Sequence, residues 1–175
     1  DNLEDIAISV AGKRDKDFDV VWNNPRNGEG LRYGFVKLDD AKKFIVELAK
    51  NYATKYHKGQ FRRDGKTPYI KHPAQVVNKL KKDFDIKDQH VLAGAWLHDV
   101  VEEGGDLDEI HKIFGGKIAD KVNLLTNWKS YGRDVDYILY AMKLKFNAPP
   151  DVKLIKYCDV MINLNDLDNI PKITK

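Results

Sequence analysis

Four ionisable side chains follow an apolar segment in the stretch AGAWLHDVVEEGG, and their types suit metal binding or acid–base chemistry. They are His98, Asp99, Glu102 and Glu103. Positions i, i+1, i+4 and i+5 lie on one side of an α-helix, so the spacing predicts a single polar stripe. The glycine pair beginning at Gly104 predicts the helix end, where the helix dipole disfavours three carboxylates. We therefore expect a cation beside them.

Two further candidate ligands lie elsewhere in the chain. His72 opens a predicted helix, and Asp159 lies beside the apolar stripe of the last predicted helix, with Asn163 one turn later. A buried carboxylate without a partner is costly, so Asp159 should meet a cation or a hydrogen-bond donor. With His98 and Asp99, these residues make a set of two imidazoles and two carboxylates, which suits manganese, iron or zinc.

Each of these residues alone also has an interpretation without chemistry. An acidic helix end is most often a solvated face, a lone His72 before a proline is usually a cap or a surface residue, and Asp159 could bond a lysine. Cys158 is expected to be a core residue, because nothing in the sequence marks it as an activated thiol. The remaining histidines are interpreted as structural or solvated: His57, His90 and His111. The combination in one chain is what favours a site.

Composition limits the classes of protein that fit. The chain has 175 residues, 42% of them hydrophobic, which suits one compact domain. Its single cysteine excludes an internal disulfide and predicts a reducing, cytoplasmic location. The longest apolar run, residues 91–97, is far shorter than the roughly 18 residues of a membrane span, so we expect no membrane partner.

The net charge of +3 is too small to indicate nucleic-acid binding, but one segment is strongly basic. Between Lys55 and Lys71, six basic side chains accompany one acidic residue, Asp64. This segment is a candidate anion-binding surface, in which Arg62, Arg63 and Lys66 could neutralise phosphate charge. The segment is short, so nucleic acid is not the expected partner.

The apolar periodicity predicts an all-α bundle with a small N-terminal appendage. Residues 1–35 contain the β-type runs DFDVVW and LRYGFV around the turn-rich NNPRNGEG, which predict a small β-hairpin or a loose arm. From residue 39 onward, apolar residues recur every three to four positions, and Asp88 is a candidate cap for the helix before the polar stripe. The predicted division is therefore residues 1–35 and 36–175.

Four segments, in this order and spacing, resemble one known family. They are HKGQFRRDGKTPYIKHP, LHDVVEE, FGGKIADKVNLLT and KLIKYCDVMINLNDL. Together they resemble the hydrolase module of the RelA/SpoT-type HD-domain proteins, especially the small alarmone hydrolases, over roughly residues 36 to 170. The resemblance implies a compact α-helical HD domain.

The resemblance also implies roles for single residues. It implies one metal ion, typically manganese, bound by His72, His98, Asp99 and Asp159. It implies that Glu102 and Glu103 position and deprotonate the attacking water, that Arg62 and Arg63 lie beside the nucleotide, and that Asn163 lies near its ribose and phosphate. The family's acidic pair is usually Glu-Asp, so Glu103 is longer by one methylene, which could slow the chemistry or move the water.

The implied reaction is hydrolysis of guanosine tetra- or pentaphosphate at the 3′ position, which releases pyrophosphate and GDP or GTP. The partner is thus a small nucleotide, and the oligomeric state stays open. Two alternatives stay open as well. One is another HD-type phosphohydrolase, acting on an adenosine alarmone, a nucleoside monophosphate, a cyclic nucleotide or the 2′-phosphate of NADPH. The other is a catalytically weak HD domain that binds a nucleotide or a protein partner.

Overall fold

The computed structural model describes the backbone of residues 7–14, 17–23 and 30–167, and the side chains of residues 42–166. Three strands precede seven helices along the described chain. The strands are β1 (Ala7–Arg14), β2 (Asp17–Asn23) and β3 (Gly30–Lys37). The helices are α1 (Leu38–Tyr56), α2 (Lys71–Asp83), α3 (Gln89–Leu97), α4 (Leu107–Phe114), α5 (Gly116–Leu125), α6 (Arg133–Asn147) and α7 (Pro150–Leu167).

The strands form one antiparallel sheet in the order β1-β2-β3. The predicted hairpin corresponds to β2 and β3, which pair antiparallel, and β3 leads directly into α1. The pattern analysis did not predict β1, which pairs with β2 along its length and lies near α4. The turn-rich residues 24–29 lie outside the described residues. The division of the chain at residue 35 stays a prediction.

The all-α expectation for the rest of the chain is confirmed, with α3 at the centre of the bundle. Residues 91–97 of α3 are all buried, which explains why this helix is apolar on every side. Helices α1, α2, α5 and α7 all pack against it. Asp88 caps α3 as predicted, because its side chain accepts from the backbone N–H groups of His90 and Val91. Among the described residues, no helix is long and apolar enough to cross a membrane.

The predicted polar stripe does not lie on an α-helix. Helix α3 ends at Leu97, and residues 98–104 form a run of tight turns with bonds such as Val100 N–H to Leu97 O at 3.1 Å. Gly104 has φ of +94°, and a Cβ at Gly105 would lie 2.5 Å from Val100 Cγ1. The glycine pair therefore ends a turn that only glycine can close. The prediction of a helical stripe was wrong because it extended the apolar helix by six residues, from His98 to Glu103.

The basic loop between α1 and α2 folds back on itself as a short hairpin. Phe61 and Pro68 form an isolated antiparallel bridge, and Tyr69 N–H donates to Gln60 O at 2.9 Å. At the tip, the Asp64 side chain accepts from the backbone N–H groups of Lys66 and Thr67. This hairpin delivers the basic residues and Tyr69 to the start of α2.

Helix α6 is amphipathic in sequence but exposes much of its apolar side. Its period predicts the helix well, yet the described structure buries mainly Tyr140 and Asp136 from this helix. The exposed apolar residues of α6 are Val135, Tyr137, Ile138, Leu139, Met142 and Phe146. Periodicity thus predicts the element without predicting which side is covered.

Candidate metal centre

Four side chains from three parts of the fold converge on one buried point. His72 comes from the first turn of α2, His98 and Asp99 from the turns after α3, and Asp159 from the middle of α7. The two imidazole Nε2 atoms are 3.3 Å apart. His72 Nε2 is 2.9 Å from Asp159 Oδ1, and His98 Nε2 is 3.1 Å from Asp99 Oδ2. The four predicted ligands are therefore neighbours in space.

Further contacts orient these groups from behind. His98 Nδ1 donates to Ala95 O at 2.8 Å, which leaves Nε2 as the lone-pair nitrogen that faces the other three groups. The outer oxygen of Asp159, Oδ2, accepts from Lys156 Nζ at 2.8 Å. Tyr69 donates its hydroxyl to Asp99 Oδ2 at 2.8 Å. Such contacts fix ligand side chains before an ion arrives.

The donor set fits a divalent cation. His72, His98 and Asp159 are buried, and their candidate ligand atoms all lie within 4.8 Å of one another. Atoms bound at about 2.1 Å to one ion stand roughly 3 to 3.5 Å apart, close to the spacing observed between most pairs here. Without a cation between them, two carboxylate oxygens and two imidazole nitrogens would point electron pairs at one another.

The electrostatics of the four side chains also favour a cation among them. Burial opposes a charge on His98, but the carboxylates of Asp99 and Asp159 together outweigh burial and raise the pKa of His98 to about 10. Burial lowers the pKa of His72. Burial would raise the pKa of Asp99 and of Asp159, but the neighbouring imidazoles hold both well below the usual range. The four side chains therefore favour a positive charge at their common centre.

The two candidate catalytic acids lie in the turns beyond the ligands, and the structure holds them differently. Glu102 Oε1 accepts from the backbone N–H of Asn127 at 2.9 Å. Partial desolvation raises the pKa of Glu102, and the charge of Asp99 adds to this shift. Glu103 Oε2 instead accepts from Gln60 Nε2 at 2.9 Å.

Arg62 and Asn163 connect the basic loop to the metal ligands. Arg62 Nε donates to Asp166 Oδ2 at 2.9 Å, and its NH2 group donates to Asn163 Oδ1 at 2.7 Å. Asn163 Nδ2 in turn donates to Asp159 Oδ1 at 2.6 Å. The Arg62 guanidinium also lies over the Tyr69 ring, 5.3 Å from its centroid. These contacts occupy the guanidinium with protein partners.

A cavity of about 320 Å³ opens beside this network. Arg63 and Lys71 line it together with Gln75 on α2, and both cations are exposed. The predicted binding residue Lys66 has an exposed side chain at the tip of the hairpin, and only its backbone joins the Asp64 turn. Two of the predicted cations, Arg62 and Arg63, therefore reach the wall of the cavity.

Sequence reasoning missed Lys156, Tyr69, Gln60 and Asp166, which orient the predicted residues. Lys156 precedes Asp159 by three positions, and Asp166 follows Asn163 by three, so helical spacing could have placed each on the same side of α7. Tyr69 and Gln60 carry no such signal, because the fold of the hairpin brings them to the site.

A family model described as an HD domain matches residues 49–173. That span contains every candidate site residue and leaves out the three strands. The chain belongs to the HD-domain family. In this HD-domain chain, the ligand cluster combines His72 of α2, His98 and Asp99 of the turns after α3, and Asp159 of α7.

Relatives and a solved structure agree with this assignment. Guanosine-3′,5′-bis(diphosphate) 3′-pyrophosphohydrolase MESH1 of Xenopus tropicalis is 36% identical over 125 residues, covering 70% of this chain and 69% of the relative. The human protein of the same name is 34% identical over 122 residues, covering 69% and 68%. A structure of a metazoan ortholog of SpoT, described as hydrolysing ppGpp, matches with a TM-score of 0.66 and 31% identity over 71% of each chain.

Proposed function

We propose that this chain is a metal-dependent 3′-pyrophosphohydrolase of guanosine tetra- and pentaphosphate. The observation that carries the proposal is the convergence of His72, His98, Asp99 and Asp159, with two glutamates in the turns that follow. We infer the substrate from the similar proteins, which are named or described as hydrolases of guanosine-3′,5′-bis(diphosphate), or ppGpp. The products are pyrophosphate and GDP or GTP.

The four converging residues would hold one ion. Their mixed imidazole and carboxylate donors suit manganese, iron or zinc, and we propose manganese because the resemblance to the alarmone hydrolases implies it. When bound, such an ion supplies Lewis acidity to a phosphoryl oxygen and lowers the pKa of water. Lys156 and Asn163 keep Asp159 oriented through hydrogen bonds of 2.8 and 2.6 Å. Tyr69 does the same for Asp99.

Glu102 and Glu103 are the proposed acid–base pair. The raised pKa of Glu102 brings this carboxyl closer to the pH at which it both accepts and returns a proton. Glu103 keeps its carboxylate on a fixed donor, Gln60 Nε2, and so can orient water without swinging freely. Either group can take the proton of the attacking water.

The cavity lined by Arg62, Arg63 and Lys71 is the proposed site for the nucleotide. Arg63 and Lys71 present two exposed cations to it, and phosphoryl transfer depends mainly on positioning and charge neutralisation. The cavity volume, about 320 Å³, suits a small nucleotide rather than a nucleic-acid strand.

Cys158 is buried as a free thiol, in keeping with the proposed cytoplasmic location, and no membrane partner is proposed.

A nucleotide panel tests the substrate. The metal-loaded protein is incubated with guanosine tetraphosphate, its adenosine counterpart, NADPH and a nucleoside monophosphate, and products are separated by anion exchange. We expect pyrophosphate and GDP from guanosine tetraphosphate at the highest kcat/KM of the panel. Faster hydrolysis of another nucleotide in the panel would show that this nucleotide is the substrate. Binding of a nucleotide without turnover would show that the protein is a nucleotide-binding domain and not a hydrolase.

A further inference from the structure

His57 and Gln60 form a hydrogen-bonded chain that ends on the carboxylate of Glu103. His57 follows the last residue of α1 and is buried, with 2% of its surface exposed. His57 Nδ1 is 2.8 Å from Gln60 Oε1. Gln60 Nε2 donates to Glu103 Oε2 at 2.9 Å. The chain thus runs from the bundle core to one of the two candidate catalytic acids.

Glu103 fixes the direction of the two hydrogen bonds in this chain. An ionised carboxylate only accepts hydrogen bonds, so the Gln60 amide must turn its NH2 group toward Glu103 and its oxygen toward His57. That oxygen also only accepts, so His57 Nδ1 must carry a proton. Within the described residues, His57 Nε2 is buried and has no hydrogen-bond partner. His57 is therefore held as the Nδ1–H form.

Several contacts hold His57, at the buried end of this hydrogen-bonded chain, in place. The His57 backbone N–H donates to Ala53 O at 3.0 Å, and the Gln60 N–H donates to His57 O at 3.2 Å. The His57 ring packs on the Tyr69 ring with centroids 4.7 Å apart and planes inclined by 31°. Tyr69 N–H closes the hairpin by donating to Gln60 O. These contacts leave the imidazole little freedom to rotate.

We propose that His57 and Gln60 are positioning residues that aim the carboxylate of Glu103. A glutamate has one more rotatable bond than an aspartate, so its carboxylate samples more positions unless a donor holds it. Gln60 supplies that donor, and the Nδ1–H group of the buried His57 holds the oxygen at the other end of the amide. The proposal rests on the proposed function for its kinetic consequence, but not for the hydrogen-bond chain itself.

The first test detects the hydrogen bonds between His57, Gln60 and Glu103 directly and needs no substrate. Long-range 1H–15N spectra of the imidazole nitrogens report which nitrogen of His57 carries the proton at a pH where the ring is neutral. We expect Nδ1–H in the metal-loaded wild type and a loss of that preference in Gln60→Met, which keeps length but removes the amide. An Nε2–H form in the wild type would overturn the proposal, whether or not the protein hydrolyses alarmones.

The second test separates positioning from folding. His57→Phe keeps the ring packing and removes the N–H donor, whereas His57→Asn keeps a donor near the Nδ1 position and removes the ring. We expect His57→Phe and Gln60→Met to lower kcat about 10- to 100-fold with KM changed less than about 3-fold, because a displaced acid affects the transition state more than binding. His57→Asn should recover most of the lost kcat.

Three kinetic outcomes would contradict the proposal. They are equal losses in His57→Phe and His57→Asn, a rise in KM without a fall in kcat, and additive losses in the double variant His57→Phe, Gln60→Met. Residues that act through one chain should give a double variant no slower than the worse single variant. Gln60 is only half-buried, so Gln60→Met keeps the test valid if His57→Phe fails to fold. A wild type inactive on guanosine tetraphosphate would contradict the proposed function. The spectra would still show whether His57 carries its proton on Nδ1, as the hydrogen bonds to Gln60 and Glu103 require.

Discussion

Two adjacent arginines illustrate how neighbouring residues of one type acquire different roles. Arg62 lies against Asp166, Asn163 and the Tyr69 ring, and only 10% of its side chain is exposed. Arg63 is exposed on the wall of the cavity. The resemblance to alarmone hydrolases implied that both lie beside the nucleotide. The structure gives Arg62 protein partners that an arginine stacked on a base would have to leave.

Arg62→Ala and Arg63→Ala make a matched pair for this distinction. Arg62→Ala should lower the free energy of unfolding by about 1 to 3 kcal/mol, because it leaves half-buried polar partners unsatisfied. Arg63→Ala should change stability by less than about 0.5 kcal/mol and raise KM for the nucleotide roughly tenfold. Chemical denaturation and steady-state kinetics measure both quantities. Equal effects on stability, or a raised KM only in Arg62→Ala, would reverse the assignment.

Among the elements, the hairpin between α1 and α2 depends on Asp64. Its side chain accepts from the Thr67 hydroxyl and from the backbone N–H groups of Thr67 and Lys66. Those bonds, led by the one from the Thr67 hydroxyl, lower the pKa of Asp64 to about 2. The turn that carries Arg63 toward the cavity is therefore held by a carboxylate that must stay ionised.

The stabilising effect of Asp64 should depend on pH in a defined direction. Its folded pKa is depressed, so its contribution is present above the unfolded pKa of about 3.9 and is lost as pH falls toward about 2. The difference in unfolding free energy between wild type and Asp64→Ala should accordingly shrink from pH 5 to pH 2. Asp85→Asn, at an exposed position with a single lysine partner, serves as the control. A pH-independent difference would show that the turn does not use the charge.

Local signals predicted the elements well, and tertiary contacts set the rest. Asp88 and Asp106 both cap helices, which short-range capping rules anticipate. The stripe of His98 and Glu102 was assigned to a helix because polar spacing cannot distinguish a helix from a run of tight turns. The hydrogen bond from Gln60 to Glu103 spans 43 positions, so no local pattern could predict it.

In the whole molecule, the candidate metal ligands join three separate parts of the bundle. His72 begins α2, His98 and Asp99 follow α3, and Asp159 lies in α7. An ion bound by all four would tie α2 and α7 to the central helix. Binding to the folded state alone stabilises that state by mass action.

Metal should therefore change the thermal stability of the whole bundle. At a manganese concentration about 100 times Kd, the folded state gains about 2.7 kcal/mol, which should raise Tm by several degrees. A chelator should remove the gain, and Asp159→Asn should abolish it. Asp120→Asn, at an exposed position on α5, should retain it. Calorimetry with and without manganese measures the shift, and an equal shift in Asp159→Asn would place the ion elsewhere.

The sequence predicted the helices and the ligand set better than it predicted the tertiary contacts around them. The ordered motifs, together with the resemblance they carry, brought His72, His98, Asp99 and Asp159 into one proposed ligand set before their distances were known. Periodicity did not predict that α6 exposes Ile138 and its apolar neighbours, since a sequence pattern does not specify what covers a helix. It did not predict β1 either, because that strand is defined by its pairing with β2.

The most direct measurement of the central claim is pyrophosphate release from guanosine tetraphosphate by metal-stripped protein, with and without added manganese. Asp159→Asn and Glu102→Gln are compared with the wild type under the same conditions. We predict manganese-dependent release of pyrophosphate and GDP in the wild type, with losses of at least about 100-fold in both variants. Release that does not depend on metal, or that persists in Asp159→Asn, would contradict a metal-dependent hydrolase built on these four residues.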